Sequence, residues 1–209
     1  MYLVNDSIVE EKNIHNVYVN LGASNHTDDE RSENDFYATP PIAVRHLMEV
    51  ETFNKNIWEP ACGMHHIADI LKDNGYNVYT TDIVDMLDRG IEIKNFLETD
   101  INDKWHGDII TNPPFKYATE FVKHALDIVE DGAKVAMFLK LQFLEGAKRI
   151  ELFEEYPPKI VYIAAKRYGC SKTGKFNKDG NVSSAICYCW YIWEKGFKGD
   201  PIIKWINKK

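Results

Sequence analysis

The sequence predicts a doubly wound α/β domain, with helices on both faces of a mostly parallel sheet. Short apolar runs typical of buried strands alternate with amphipathic segments of helical spacing from residue 41 to residue 163. The last two predicted strands, at 160–163 and 184–193, are joined by a long loop. This order of elements indicates one α/β domain.

Length and composition agree with a globular protein. The chain has 209 residues, of which 44% are hydrophobic, enough for one domain with a substantial core. No apolar stretch reaches membrane-spanning length, and the first residues do not resemble a signal peptide, so no membrane partner is expected. The four cysteines, at 62, 170, 187 and 189, show neither a disulfide framework nor zinc-ribbon spacing. We expect reduced thiols and a cytoplasmic location.

The negative charge is concentrated at the start of the chain. Residues 1–35 carry eight acidic and two basic side chains, a net of −6 within a total of −7. They are polar and turn-rich, which predicts an acidic N-terminal arm followed by a single domain over residues 36–209. Because that domain is close to neutral, local basic patches could still face phosphates.

The first helix is predicted over residues 41–51, where Val44 and Leu47 belong to the apolar set. Thr39 is suited to the N-cap, and Pro40 to the first helical position.

The first strand leads into a tight turn, Glu59-Pro60-Ala61-Cys62-Gly63, followed by a helix over 67–71. Gly63 has no Cβ, so the backbone can approach a ligand closely there. Cys62, His65 and His66 also suggest a metal site. However, adjacent histidines rarely share one ion with a nearby cysteine and no second ligand pair is evident, so no metal is expected.

The second strand, 76–82, ends in an acid. Asp82 follows Gly63 by 19 residues, a spacing at which a carboxylate can accept both hydroxyls of a ribose. A helix N-cap is the alternative role for Asp82. A third strand is predicted over 92–97 and includes Asn95 and Phe96.

The fourth strand, 108–111, is followed by Asn112-Pro113-Pro114-Phe115. The prolines cannot donate backbone hydrogen bonds, so the strand must stop. Asn112 and the Pro113 carbonyl offer two acceptors to one exocyclic amino group, and Phe115 offers a flat face for stacking a planar ring. An ordinary strand-ending turn is the alternative.

The second half of the chain continues the alternation. A helix is predicted over 117–129, a strand over 134–140, and a helix from 141 that ends before Pro157. In the strand 184–193, Cys187, Cys189 and Tyr191 should share one face, and Tyr188 and Trp190 the other.

The long loop at 166–183 holds the strongest run of basic residues. Its bases are Lys166, Arg167, Lys172, Lys175 and Lys178, with Tyr168 and Phe176 between them. Basic residues interleaved with aromatics are typical of phosphate contact and base stacking. A solvated connector is the alternative.

Four of these features occur in an order seen in one family. The Thr-Pro-Pro helix start, the Glu-Pro-Ala-Cys-Gly turn, the acid Asp82 and the Asn-Pro-Pro-Phe loop together resemble amino-methyltransferases that use S-adenosylmethionine (SAM). The resemblance covers roughly residues 35–195 and is strongest to small phage-type DNA N6-adenine methyltransferases.

The resemblance implies a Rossmann-like sheet of seven strands with an antiparallel last strand. It implies that SAM is the cofactor and that the target adenine of DNA flips into the Asn-Pro-Pro-Phe pocket. The implied catalytic residues are Asn112, Pro113, Pro114 and Phe115. The implied cofactor contacts are Thr39, Glu59, Pro60, Ala61, Cys62, Gly63, Asp82, Asn95, Phe96 and Asn112. The chain departs from the family pattern at His65, where a second glycine is usual, and at Asn95, where an aspartate is usual.

Other acceptors stay open at this point. They are an RNA base and the glutamine amide of a protein, as in release-factor methyltransferases with Asn-Pro-Pro-Tyr. A catalytically inactive SAM-fold protein that binds nucleic acid or another partner is a further alternative. A homodimer or a separate specificity subunit is also compatible with the sequence.

Overall fold

The computed structural model describes residues 36–208, so the predicted arm over 1–35 lies outside the described residues. Within them, eight strands form one sheet and four α-helices flank it. The strands are β1 Asn56–Glu59, β2 Asn77–Asp82, β3 Glu92–Ile93, β4 Asp108–Thr111, β5 Lys134–Lys140, β6 Ile160–Ala164, β7 Tyr188–Glu194 and β8 Ile202–Ile206. The helices are α1 Pro41–Val50, α2 His66–Asp73, α3 Ala118–Ile128 and α4 Ile150–Glu155.

The sheet has the order β3-β2-β1-β4-β5-β7-β6-β8. Every neighbouring pair is parallel except the two pairs made by β7, which runs antiparallel to β5 and β6. The predicted fold class, with its antiparallel strand, is therefore confirmed. An eighth strand, β8, extends the expected seven by pairing with the outer side of β6.

The core has two layers, one on each face of the sheet. Alternation along the strands assigns side chains to the layers: Ile109 faces α3, and Ile110 faces α1 and α2. In β7, Tyr191 lies in the first layer and Trp190 in the second, as predicted. Because both faces are covered, the central strands are almost entirely buried.

Three predicted elements differ in the structure. The third strand ends at Ile93, and a 3₁₀ turn over Phe96–Glu98 follows, because the Asn95 side-chain oxygen accepts a hydrogen bond from the Leu97 amide. The helix predicted from 141 becomes two 3₁₀ turns before α4, interrupted at Gly146, whose φ is 120°. The last predicted strand begins at Tyr188, four residues later than expected.

The start of α1 also differs. Pro40 is the N-cap and Pro41 the first helical residue, and no side-chain hydrogen bond caps the helix. The expectation that Thr39 caps α1 is therefore wrong by one position.

Candidate functional site

The candidate site lies along the carboxyl edge of the sheet. β2, β1, β4 and β5 are adjacent and parallel, so their carboxyl ends meet there. From β2 to β5 these ends carry Asp82, Glu59, Asn112 (just after β4) and Lys140. Neighbouring strands are about 4.8 Å apart, so the four positions span roughly 14 Å.

The Asn-Pro-Pro-Phe loop leaves the buried strand β4 as predicted. Pro113 is buried, and Pro114 is extended, with φ −53° and ψ 123°. The Pro114 carbonyl accepts a hydrogen bond from the Tyr117 amide at 2.9 Å, which closes a 3₁₀ turn over Phe115–Tyr117. The loop is thus held by β4 on one side and by the start of α3 on the other.

The Asn112 amide is held in one orientation. Its Nδ2 donates to the Tyr37 backbone carbonyl at 2.6 Å. Its Oδ1 is buried and has no hydrogen-bond partner among residues 36–208. Since a buried acceptor without a partner costs free energy, Oδ1 is the atom of this loop that can gain most from a ligand that donates a hydrogen bond.

Aromatic rings and two lysines lie near the loop. The Phe115 ring lies 5.4 Å from the Tyr37 ring and 5.9 Å from the Tyr188 ring, measured between centroids. The Lys140 Nζ lies 4.7 Å from the Phe115 centroid. On the other side, the Lys172 Nζ lies 6.0 Å from the Tyr37 centroid. The half-buried Phe115 therefore sits between aromatic rings, with cationic groups next to it.

The tight turn after β1 is fixed to β2. The Cys62 amide donates to the Thr81 carbonyl at 3.2 Å, and the Gly63 amide donates to Asp82 Oδ2 at 2.8 Å. Gly63 has a φ of 48°, and a Cβ built on it would lie 2.6 Å from the Phe36 ring. Glycine is thus required here both by its conformation and by the close approach of Phe36.

His65 takes over a conformation that a second glycine would adopt easily. Its φ of 63° and ψ of 17° are left-handed, which is uncommon for residues with a Cβ. Its side chain is only 2% exposed, and burial lowers its pKa. The departure from the family pattern at this position therefore keeps a glycine-like backbone path.

Two carboxyl groups border this turn. Glu59 is 1% exposed, and burial raises its pKa well above the usual value, while a hydrogen bond from the Ala68 amide acts in the opposite direction. Glu59 Oε2 has no partner within the described residues. Asp82 is half-buried, and burial likewise raises its pKa against the lowering effect of the Gly63, Ile83 and Val84 amides. Both carboxyl groups are therefore poised to gain from a nearby cation.

The sequence matches no protein-family model and none of the curated proteins. Solved structures do match. A Listeria monocytogenes protein described as a class I SAM-dependent methyltransferase gives a TM-score of 0.55 at 13% identity, over 95% of this chain and 73% of that one. A Pyrococcus horikoshii protein described as an RNA methyltransferase gives 0.56 at 14% identity, over 87% and 98%. The M protein of the type I restriction enzyme EcoKI gives 0.52 at 18% identity, over 79% and 45%.

This chain has the fold of the class I SAM-dependent methyltransferases. At these identities the similarity shows the fold, so any activity has to be argued from the chemistry of the site.

Some residues expected at the SAM site of this methyltransferase fold lie elsewhere or have other roles. Phe96 is 1% exposed and packs in the core against Trp58 and Phe121. Asn95 is exposed and caps the 3₁₀ turn, where its Nδ2 also donates to Glu98 Oε1 at 2.8 Å. Both side chains are used by local structure, and their assignment as cofactor contacts stays a prediction.

The remaining predicted contacts are brought together. Residues 59–63, Asp82 and Asn112 lie at the same sheet edge. Thr39 is buried in the segment before α1, which reaches the loop through the Tyr37 carbonyl and the turn through Phe36.

The basic loop packs beside the site. Ser171 and Ala38 exchange two backbone hydrogen bonds, of 2.9 and 3.1 Å. His66 Nε2 donates to the Gly174 carbonyl at 3.0 Å, and its ring makes an edge contact with Phe176. The loop is therefore anchored to both the segment before α1 and the start of α2.

Its basic residues are exposed, namely Lys166, Arg167, Lys172, Lys175 and Lys178. Tyr168, expected to interleave with them for base stacking, is instead 1% exposed and hydrogen-bonds His46 Nδ1 at 2.9 Å. That expectation is wrong, because the Tyr168 ring belongs to the core layer beneath α1.

In the range 36–208, no group of three or more His, Cys, Asp and Glu side chains is arranged to hold a metal ion. In the same range, no helix combines the length and apolar character needed to cross a membrane.

Sequence reasoning missed Tyr37, Lys140 and His66 as parts of this site. A signal existed for Lys140, since the last residue of a strand adjacent to β4 must reach the same sheet edge. Tyr37 and His66 gave no comparable signal, because their contacts join segments 75 and 108 residues apart.

Proposed function

We propose that this chain transfers a methyl group from SAM to the exocyclic N6 amino group of adenine in DNA. The observation that carries the proposal is the Asn112 amide. Its nitrogen is tied to the Tyr37 carbonyl, so its buried, unpartnered oxygen is left as an acceptor at the sheet edge. An amino group with hydrogens to donate is the complement of that oxygen.

The other end of the site suits a cationic cofactor. SAM carries a sulfonium and an ammonium group, and Glu59 and Asp82 are carboxyls whose burial is costly without a counter-charge. Gly63 has no Cβ, and the space beside its backbone is filled by the Phe36 ring in this structure. We assign residues 59–63 and Asp82 as the SAM-binding residues. When bound, SAM would supply an electrophilic methyl carbon.

The protein's part in the reaction is to position the acceptor. Asn112 Oδ1 accepts one N6 hydrogen, and the Pro113 carbonyl is assigned the second. An amino group held by both hydrogens keeps its nitrogen lone pair directed at the methyl donor. No general base is needed before attack, because the proton can leave afterwards; positioning supplies most of the catalysis.

The aromatic rings suit a planar base. Phe115 and Tyr37 are in contact, and a base that stacks on Phe115 brings its amino group to Asn112. Because Asn112 Oδ1 is shielded from solvent, the groups that cover it must move aside when the acceptor enters, while the hydrogen bond to the Tyr37 carbonyl keeps the amide in its orientation. In duplex DNA the adenine must also leave the stack.

Nucleic acid is also favoured by the anchored basic loop and by two of the structural neighbours. One neighbour is a restriction-enzyme M protein, and the other is described as an RNA methyltransferase.

Cofactor binding is tested by titration calorimetry with SAM. A 1:1 complex is expected. Asp82→Ala should weaken SAM binding by ~1–3 kcal/mol, because it leaves ligand hydroxyls unpaired. Unchanged affinity in a folded Asp82→Ala protein contradicts this assignment.

Methyl transfer is tested by tritiated SAM with DNA, RNA and protein acceptors in parallel. Label on adenine N6 of DNA supports the proposal, and 2-aminopurine at the target position should gain fluorescence when the base flips. Label only on RNA or on a protein amide redirects the proposal to that acceptor. A protein that binds SAM and labels none of the three is a binding module.

A further inference from the structure

Lys140 is a half-buried cation at the candidate site whose charge the described structure does not balance. It is the last residue of β5, and its Nζ lies against the Phe115 ring at 4.7 Å. It forms no ion pair with any acidic side chain of residues 36–208. A contact with an aromatic face is weaker than a charge-assisted hydrogen bond to an anion.

Its position is fixed by the sheet. Lys140 pairs with Tyr188 of β7, and its carbonyl accepts a hydrogen bond from the Tyr191 hydroxyl at 3.1 Å. The lysines of the 166–183 loop, by contrast, stand on a connector outside regular structure. A cation on a strand end is positioned more reproducibly than one on a loop.

Acidic and basic side chains lie at opposite ends of this sheet edge. Asp82 and Glu59 stand at the ends of β2 and β1, Asn112 follows β4, and Lys140 ends β5. The end of this edge that carries Asp82 and Glu59 suits a cationic cofactor. The other end, which carries the Lys140 ammonium group, therefore suits an anion that belongs to the acceptor. Asn112 lies between these two ends.

We propose that Lys140 binds a backbone phosphate adjacent to the target base, which makes the acceptor a polynucleotide. This inference rests on the proposed methyl transfer and specifies its substrate class. A protein amide has no anion fixed beside it by its covalent structure, whereas DNA and RNA place a phosphate beside every base. When the base stacks on Phe115, the Lys140 ammonium group leaves the Phe115 ring and binds the phosphate instead.

The test compares Lys140→Met and Lys140→Gln, which remove the charge, with Lys140→Arg, which keeps it. Lys55→Met is the matched control, because it removes an exposed lysine that directly precedes β1, at the opposite edge of the sheet from the candidate site. Circular dichroism and SAM calorimetry establish that each variant is folded and binds cofactor normally. Binding of labelled DNA and RNA oligonucleotides is then measured by anisotropy from about 50 to 300 mM salt.

Both neutral variants should bind oligonucleotide about tenfold more weakly at the lowest salt. Their salt slope should fall by about 0.9 for duplex DNA, or 0.7 for single strands, as expected for one lost phosphate contact. Lys140→Arg and Lys55→Met should behave as wild type. Whichever of DNA and RNA shows the effect is the acceptor type.

Unchanged affinity and slope in both neutral variants overturn the inference, as does methyl transfer to a protein amide that is insensitive to Lys140. Failure of the proposed function looks different. In that case the wild-type protein binds no SAM or labels no acceptor, whatever Lys140 contributes to oligonucleotide binding.

Discussion

Asn112→Ala should separate catalysis from stability more cleanly than other changes in this chain. The substitution removes the acceptor oxygen assigned to the target amino group, together with the Nδ2 hydrogen bond to the Tyr37 carbonyl. The backbone of the loop should keep its course, since Pro113, Pro114 and strand β4 determine it.

The two effects differ in size and in sign. Loss of one preorganised contact at a reacting centre lowers the rate by ~10²–10³, or about 2.7–4 kcal/mol. In the folded state, the lost hydrogen bond costs about 0.5–1.5 kcal/mol, and removal of the unpartnered Oδ1 returns about 1–3 kcal/mol. The free energy of unfolding should therefore change by between about −0.5 and +2.5 kcal/mol.

Asn74→Ala is the matched control, because the Asn74 Nδ2 also donates to a backbone carbonyl, that of Ile70, at 2.7 Å. It lies at the end of α2, away from the candidate site, so it should lose about 1 kcal/mol of stability and no activity. The assays are tritiated-methyl transfer, SAM calorimetry and urea unfolding. An Asn112→Ala protein that methylates adenine at the wild-type rate would falsify the assignment of this loop.

Three further outcomes are expected. Because the buried Glu59 has a raised pKa, the folded protein keeps a proton that the unfolded chain releases, so stability should fall as pH rises above the ordinary value of 4.5. Glu59→Gln should make the melting temperature less dependent on pH between about pH 5 and 8, and it should weaken SAM binding. A melting temperature with the same pH dependence as wild type contradicts the inference that burial raises the Glu59 pKa. His65→Gly should fold and bind SAM at least as tightly as wild type in calorimetry, because glycine adopts the left-handed φ of 63° without the ~1–2 kcal/mol Cβ penalty; loss of binding would identify the imidazole as a contact. Neutralising Lys172, Lys175 and Lys178 together should weaken DNA binding and reduce its salt slope by up to ~0.9 per lost contact, with SAM affinity unchanged; an unaltered slope makes the loop a solvated connector.

Local chemistry allowed the sequence alone to predict the fold class and the loops at the site. The prolines after β4 end the strand because proline has no amide hydrogen to donate, and Gly63 permits a turn that is unfavourable for residues with a Cβ. Both features depend only on neighbouring residues, so the sequence predicts them. The alternation in β7 likewise assigned Tyr191 and Trp190 to opposite core layers before any contact was known.

Only the tertiary structure decided which distant groups complete the site. The Tyr37 carbonyl reaches Asn112 across 75 residues, and Lys140 meets Phe115 because β4 and β5 are neighbours in the sheet. The same long-range packing placed Tyr168 in the core, contrary to the prediction. It also paired β8 with β6, which added a strand to the expected seven. Local sequence patterns report periodicity and turn chemistry, whereas such contacts depend on how the whole chain is arranged around the sheet.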